Sequence, residues 1–267
     1  MIKKIASAFL VVGFLAPVAA LADTSSRNLN GVLGGKKKKV TFTVDSTTYN
    51  YIYNVPRLSC TQMPGCTSIT DRDRTIINEP TPKTALALLV AAIKAATKKP
   101  DDQARLAASM VQNITYDTAK SDAIDRGDST HFRFPYEVLY DNQQVCGENS
   151  YLLAFLLTEL CFGAAVFVFP SAGHDTAGIK CPAQYSYKGT GYCFIETTYR
   201  NIITYDTMAN RDSSDMILED LTPTGLTFNP KKDYKDVQTL KKIYANWSKL
   251  SKKNKKKYKA IKKKYGL

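Results

Sequence analysis

The most regular pattern of apolar residues in the chain follows Cys146. Leucines recur there at spacings of three and four, which predicts a helix with a broad apolar face from Ser150 onward. Gly163 is expected to end this helix. The leucines that form the face are Leu152, Leu153, Leu156, Leu157 and Leu160.

Three segments after this helix predict strands. The first, AAVFVFP, is a short continuous apolar run of the kind found in buried strands. The segments HDTAGIKC and GYCFIETTY follow, and the glycine-containing loop between them predicts a hairpin. The expected order is helix, strand, strand, strand.

The first half of the chain has weaker patterns. Residues 23–38 are expected to form a flexible lead-in that ends in GGKKKK. The segments VTFTVD and TTYNYIYNV are rich in β-branched and aromatic residues and predict two strands. The segments TALALLVAAIKAATKK and DDQARLAASMVQNI predict two helices, whereas TYDTAKSDAIDRGDSTHFRF has the polar composition of a loop.

The C-terminal segment, residues 230–267, is a lysine-rich tail. It carries 15 lysines and two aspartates, so its net charge of +13 equals that of the whole chain and the rest of the protein is neutral overall. Apolar and aromatic side chains recur at spacings of three and four, which predicts an amphipathic helix starting at Asn229 and Pro230 and broken near Ser251 to Asn254.

Two roles for this tail are open from the sequence. A cationic helix is suited to anionic surfaces such as membrane phospholipid or cell-wall polymers; nucleic acid is the weakest partner, because export separates the protein from most nucleic acid. The alternative is a solvated lysine face that keeps the protein soluble, with the aromatic stripe packed on the domain.

The first 22 residues have the pattern of a signal peptide. Two lysines precede a short apolar run, and Ala20, Leu21 and Ala22 form a small-residue cleavage pattern. A retained membrane anchor is the alternative, but Pro17 and the shortness of the apolar run argue against it. The mature chain is expected to start at Asp23 and to be secreted or located in the periplasm or cell envelope.

Six cysteines in an exported chain indicate disulfides. Cys60 and Cys66 flank a tight loop, and Cys181 and Cys193 bracket the predicted hairpin loop, so each pair is expected to bridge. Cys146 and Cys161 would lie about 22 Å apart along a helix, beyond the separation of about 7 Å that a disulfide tolerates. These two are expected to be free thiols.

Cys146 has the position of a nucleophile. A helix N-terminus favours a thiolate, and a catalytic thiol also needs a base and a group that orients the base. His174 follows the strand after the cysteine helix, and Glu196 is the acidic residue in the next apolar strand. Alternatively, Cys146 is a small core residue, and Glu196 pairs with Lys180. Asp175 is a rival to Glu196 but is poorly placed to orient its neighbour's ring.

The segments around these residues resemble the transglutaminase-like cysteine protease superfamily, especially its prokaryotic members. The resemblance covers about residues 104–205 and is carried by MVQNITYD, FPYEVL, CGENSYLLAFLLTELCFGAAVFVFP, GHDTAGI and YCFIETT. It departs from those relatives in the residues that flank Cys146 and in Asp175 after His174, which leaves the substrate undefined.

The resemblance implies an α+β fold with a papain-like core, in which a catalytic helix packs on an antiparallel sheet. It implies Cys146 as nucleophile, His174 as base and Glu196 as orienting carboxylate. The expected organisation is a signal peptide (1–22), a β-rich segment (23–80), a transglutaminase-like domain (81–229) and the basic helical tail (230–267).

The expected activity is acyl transfer on amide bonds of a protein or peptide through a thioester, giving peptidase, amidase or cross-linking products. The backbone N–H of Cys146 is expected to stabilise the oxyanion. No metal-ligand set and no cofactor motif is found in the sequence. The alternative function is a non-catalytic surface-binding or scaffold protein that acts through the cationic tail.

Overall fold

An antiparallel hairpin opens the part of the chain that the computed structural model describes, which is residues 23–128, 131–209 and 211–267, without the side chains of Ile69 and Arg72. Strands β1 (Thr24–Leu33) and β2 (Lys36–Asp45) pair along their whole length. Gly34 and Gly35 make the two-residue turn with φ of 59° and 81°, a conformation that glycine adopts without strain. The prediction of a flexible lead-in was therefore wrong.

The segment after β2 is a helix, α1 (Ser46–Tyr53), where the sequence predicted a strand. The Asp45 side chain caps it by accepting a hydrogen bond from the backbone N–H of Thr48 at 2.7 Å. Tyr49 and Ile52 are three positions apart and both pack against the core. A cap and a helical spacing of apolar contacts thus outweigh the β-propensity of the segment.

Four helices follow α1 along the chain: α2 (Ile69–Ile77), α3 (Pro80–Ala85), α4 (Ala87–Ala96) and α5 (Pro100–Val111). The two helices predicted between residues 84 and 114 are confirmed in α4 and α5. The segment predicted as a loop forms β3 (Thr115–Tyr116) and α6 (Thr118–Asp125). The loop prediction is therefore correct only for the described residues of this segment after Asp125. Helix α7 (Pro135–Asp141) and strand β4 (Gln143–Gln144) follow, and β4 pairs parallel to β3.

The second half of the body is a helix on a four-stranded antiparallel sheet. Helix α8 (Cys146–Glu159) packs on β5 (Ala164–Phe169) and β6 (His174–Lys180). Strands β7 (Tyr192–Ile195) and β8 (Ile217–Thr222) complete the sheet in the order β7-β6-β5-β8. The α+β class and the order helix, strand, strand, strand are confirmed, whereas β8 was not foreseen. The finer assignment of a papain-like core stays a prediction.

One apolar cluster joins the hairpin, helices α4, α5 and α8, and the sheet face beneath α8. It includes side chains from both the 23–80 and the 81–229 segments, and the boundary between them stays a prediction. Both expected disulfides are present, Cys60–Cys66 and Cys181–Cys193, with Cα separations of 5.2 and 5.7 Å. Cys146 and Cys161 are free, as expected.

The lysine-rich tail forms α9 (Lys231–Ala245) and α10 (Lys252–Tyr265), separated by a short 3-10 turn at Trp247–Lys249. The predicted break is therefore real, although it begins a few residues earlier than expected. None of the helices within the described ranges is long and apolar enough to cross a membrane. The predicted signal peptide, residues 1–22, lies outside the described residues.

Candidate active site

Cys146 is the first residue of α8. Val145 before it is extended, with φ of −114° and ψ of 170°, and its N–H donates to Glu148 at 3.1 Å. The N–H groups of the first helical turn have no partner within the helix and carry the positive end of its dipole. Cys146 thus lies at the positive end of the helix dipole, and its N–H makes no hydrogen bond within the helix.

His174 is the first residue of β6 and lies opposite Phe169 of β5. Its ring is largely buried and makes a side-chain hydrogen bond to Cys146. The second contact joins His174 Nε2 to Glu196 Oε2 at 3.2 Å. The imidazole thus has both the Cys146 side chain and the Glu196 carboxylate as neighbours.

The two partners of His174 determine its protonation. Burial lowers its pKa, but the hydrogen bonds and negative charges of Cys146 and Glu196 outweigh burial and raise the pKa to about 9. The imidazole is therefore an imidazolium at neutral pH, with Nε2–H donating to the Glu196 carboxylate. The Cys146 side chain therefore has a positively charged neighbour.

Glu196 directly follows β7 and is 1% exposed. Its Oε1 accepts from the N–H groups of Thr197 and Thr198, each at 3.0 Å, and from Thr198 Oγ1 at 2.7 Å. Its Oε2 accepts from Thr207 Oγ1 at 2.8 Å as well as from His174. Burial raises the pKa of Glu196, but His174 and the donors of Thr198 lower it to about 2, so the carboxylate is charged.

The structure thus brings Cys146, His174 and Glu196 together in the order that the sequence predicted. Lys180, the alternative partner of Glu196, instead donates to the Pro223 carbonyl at 2.6 Å. Asp175, the rival carboxylate, lies near Gly147 and the acidic residue Asp73 and lines a cavity there.

Several residues that hold these three in place were missed by sequence reasoning. Thr198 and Thr207 orient the carboxylate, and Gln112 Nε2 donates to the Glu196 carbonyl at 2.7 Å. Glu148, buried in the first turn of α8, binds Lys120 and Arg133. The one signal for Glu148 was its place three residues after Val145, where a carboxylate caps a helix.

A cavity of about 480 Å³ lies on the side of α8 where Asp175 contacts Gly147. Its walls are largely apolar, but four carboxyl groups also line it: Asp73, Glu79, Asp175 and Glu219. Burial, with Asp73 nearby, raises the pKa of Asp175 to about 6 and also raises that of Glu219. A second cavity of about 730 Å³ lies between α5 and the tail, and the described part of its wall contains none of the three candidate site residues.

Replacing Gly147 with alanine is expected to strain the site. An added Cβ would lie 2.8 Å from Asp175 Oδ2 and 3.4 Å from the Phe132 ring, so β6 or the Asp175 side chain must shift. Overpacking of this kind destabilises a protein by about 1–3 kcal/mol, more than alanine gains over glycine in a helix. Urea unfolding with both disulfides intact measures the change.

Asp175→Ala supplies the control for this prediction. In the double variant the colliding carboxylate is absent, so Gly147→Ala should lower the free energy of unfolding by less than it does in the wild-type background. The coupling energy between the two substitutions should be roughly 0.5–3 kcal/mol. Strictly additive free energies of unfolding would contradict the proposed collision.

No family model matches the chain, and no curated protein matches it. Among solved structures, one described as the crystal structure of a TGase is similar over 70% of this chain and 47% of that chain, with 14% sequence identity and a TM-score of 0.34. The chain thus spans about half the length of the structure that it matches. Within the described residues, no group of three or more His, Cys, Asp or Glu side chains is placed to hold a metal ion.

Proposed function

We propose that this protein is a transglutaminase-like cysteine hydrolase or acyltransferase that acts on amide bonds. The observation that carries the proposal is the position of His174, which contacts both the Cys146 thiol and the buried Glu196 carboxylate. A nucleophile, a base and an orienting group in contact are the set that thiol-based acyl transfer requires.

In the first half of the reaction, the Cys146 sulfur attacks the carbonyl carbon of the substrate amide. The oxyanion that forms faces the Cys146 N–H at the start of α8. The carbon–nitrogen bond then breaks, and the leaving amine takes the proton of the His174 imidazolium. The products are a free amine and a thioester on Cys146.

In the second half, the now neutral His174 accepts a proton from water or from an incoming amine. The oxygen or nitrogen attacks the thioester carbon, the carbon–sulfur bond breaks, and the sulfur leaves as a thiolate beside the renewed imidazolium. Water gives a carboxylic acid, and an amine gives a new amide. Glu196 stays ionised throughout and stabilises the imidazolium.

The proposal includes export of the protein after removal of residues 1–22, with catalysis assigned to residues 81–229. Two disulfides are compatible with a secreted or envelope protein, because cytosolic thiols are kept reduced. A protein or peptide is the proposed substrate.

An activated acyl ester tests the proposal directly. Mixing the protein with a p-nitrophenyl ester should add one acyl group, visible by intact mass, and hydroxylamine should remove it as expected for a thioester. Cys146→Ala should abolish the adduct. Cys161→Ala is the matched control, because Cys161 is the other free thiol and is exposed, and its adduct should form as in the wild type.

An acyl group found on Cys161, or equally on both thiols, would contradict the proposal and favour the non-catalytic scaffold. Once the thioester is observed, adding a primary amine separates the two outcomes of the second half. Conversion of the thioester to an amide identifies an acyltransferase, whereas release of the acid alone identifies a hydrolase.

A further inference from the structure

We propose that the outer face of the α9–α10 tail is a binding surface for an anionic lipid bilayer. Two features carry this inference: the arrangement of the tail's charges and an exposed aromatic corner between its two helices. It is independent of the proposed catalytic function.

The inner face of the tail is fixed to the body of the protein. Val237, Leu240 and Ile261 are buried with Ile202 in a separate apolar cluster. The backbone N–H of Gly35, in the turn of the β1–β2 hairpin, donates to the Lys264 carbonyl at 2.9 Å. The tail is therefore docked and presents a defined outer face.

Both acidic residues of the tail point inward. Asp233 is buried and pairs with Arg105 of α5 at 2.7 Å. Asp236 pairs with Lys264 at 2.7 Å, and the Tyr265 hydroxyl contacts both aspartates at 3.0 Å. The two negative charges of residues 230–267 are thus used in internal contacts, which leaves the outward charge of the tail almost purely positive.

The outward lysines of α10 lie in a row. Four exposed lysines recur at spacings of four, three and four, which places them on one side of a helix: Lys252, Lys256, Lys259 and Lys263. The helix is about 21 Å long at 1.5 Å per residue. Its C-terminal end meets the hairpin turn, where Lys36 and Lys37 are also exposed and extend the positive row.

At the other end of this row lies an aromatic corner formed by Tyr244, Trp247 and Tyr258. Trp247 is 53% exposed and Tyr244 is 46% exposed. The Trp247 ring centroid lies 5.1 Å from that of Tyr258 and 6.1 Å from that of Tyr244. Large amphipathic rings beside lysines are typical of proteins that lie at the membrane–water interface.

The aromatic corner favours a bilayer over a soluble polyanion. A polymer of phosphate or sulfate groups would be bound by the lysines alone and would gain nothing from exposed apolar ring surface. A bilayer offers anionic head groups for the row and an apolar boundary for the rings. The proposed ligand is therefore phospholipid with anionic head groups.

Trp247 is the only tryptophan in the chain and reports on this contact directly. The test uses protein lacking residues 1–22, whose apolar run would itself partition into lipid. With vesicles of phosphatidylglycerol and phosphatidylcholine, we expect cosedimentation, a blue shift of Trp247 emission, and loss of binding at high salt. Phosphatidylcholine vesicles alone should bind far less.

Reversing the four lysines of the row to glutamate should weaken vesicle binding by at least about 10²-fold, since each lysine near an anionic surface contributes roughly fivefold. The control variant makes the same change in net charge on exposed cations elsewhere: Lys98→Glu, Arg126→Glu, Lys188→Glu and Arg211→Glu. This variant should retain most of the binding. Cys146→Ala should bind as the wild type does.

Three results would overturn the proposal. The first is binding of soluble polyphosphate without binding of anionic vesicles, which would indicate a polymer ligand. The second is vesicle binding without a shift of Trp247 emission, which would exclude the aromatic corner. The third is an equal loss of binding in the row variant and the control variant, which would reduce the effect to net charge.

Discussion

Replacing His174 with alanine is expected to slow alkylation of Cys146 by iodoacetamide about ten- to a hundredfold near pH 6. In the wild type, His174 carries a positive charge beside the Cys146 sulfur at this pH, because the pKa of His174 is raised to about 9, and a neighbouring cation makes a thiol more reactive. A cysteine without such a neighbour ionises at a pKa of about 8.5, so only a small fraction is thiolate at pH 6. The greater intrinsic reactivity of that thiolate offsets part of the loss.

The pH dependence of the Cys146 alkylation rate should differ between the wild type and His174→Ala. A histidine whose folded pKa is about 9 stays protonated throughout the neutral range, so its charge beside Cys146 is constant and the wild-type rate should rise less steeply between about pH 6 and 8 than the rate of His174→Ala. In His174→Ala the rate should rise roughly tenfold per pH unit up to about pH 8.5. The two profiles should converge above pH 9, where His174 loses its proton. Acyl transfer should fall about 10²–10⁴-fold, since the variant lacks its general acid and base.

Two further variants complete this experiment. Every protein compared carries Cys161→Ala, which leaves Cys146 as the one free thiol. Glu196→Gln keeps the shape of the side chain but removes the negative charge that raises the pKa of His174, so its profile should lie between the other two. His131→Ala is the control, because the other histidine stacks on Tyr53 at 4.2 Å and contacts Glu137. Coincident profiles for the wild type and His174→Ala would refute activation by His174.

The sequence was most informative about the order of the candidate site residues along the chain. Cys146 and His174 begin α8 and β6, and Glu196 directly follows β7; α8, β5, β6 and β7 each have a clear apolar pattern. Short closed loops made the two disulfides predictable as well. Local apolar patterns and short connections were thus enough to predict that the three side chains lie close together.

The sequence failed where tertiary contacts determine local structure. Strand β1 has little apolar pattern of its own and is held by pairing with β2 and by Gly31, whose backbone lies so close to α5 that an added Cβ would be 3.0 Å from Met110. Strand β8 joins the sheet beside β5 from about 50 residues away, and such a distant pairing leaves no local signal. Thr207 reaches Glu196 from a loop that has no periodic pattern.

Replacing Glu148 with alanine is expected to destabilise the protein by about 3–5 kcal/mol. The Glu148 side chain is 0% exposed and lies between the cations Lys120 and Arg133. Removing Glu148 leaves Lys120 without its carboxylate partner in a poorly solvated place, and this accounts for most of the cost. Arg133 keeps its pairs with Asp117 at 2.8 Å and Asp141 at 2.9 Å. Urea unfolding with intact disulfides measures it.

Asp128→Ala is the matched control for this change. The pair Arg126–Asp128 is joined at 3.1 Å, but its side chains are 63% and 57% exposed. Water solvates an exposed charge after its partner is removed, so this variant should cost less than about 1 kcal/mol. Similar losses in the two variants would show that the Glu148 pairs contribute no more than surface pairs.

Glu148 also connects stability to the candidate site. Its carboxylate accepts from the N–H of Val145 at 3.1 Å and from that of Arg133 at 2.8 Å, so it holds the residue before Cys146 in position. Glu148→Gln keeps the side-chain oxygen for one of these bonds but removes the charge. If the carboxylate positions the start of α8, Glu148→Gln should unfold at a lower urea concentration than the wild type. While this variant is folded, alkylation of its Cys146 should still show a pH profile that depends on His174. Glu148→Ala should lose both stability and that profile, since it lacks the oxygen as well as the charge.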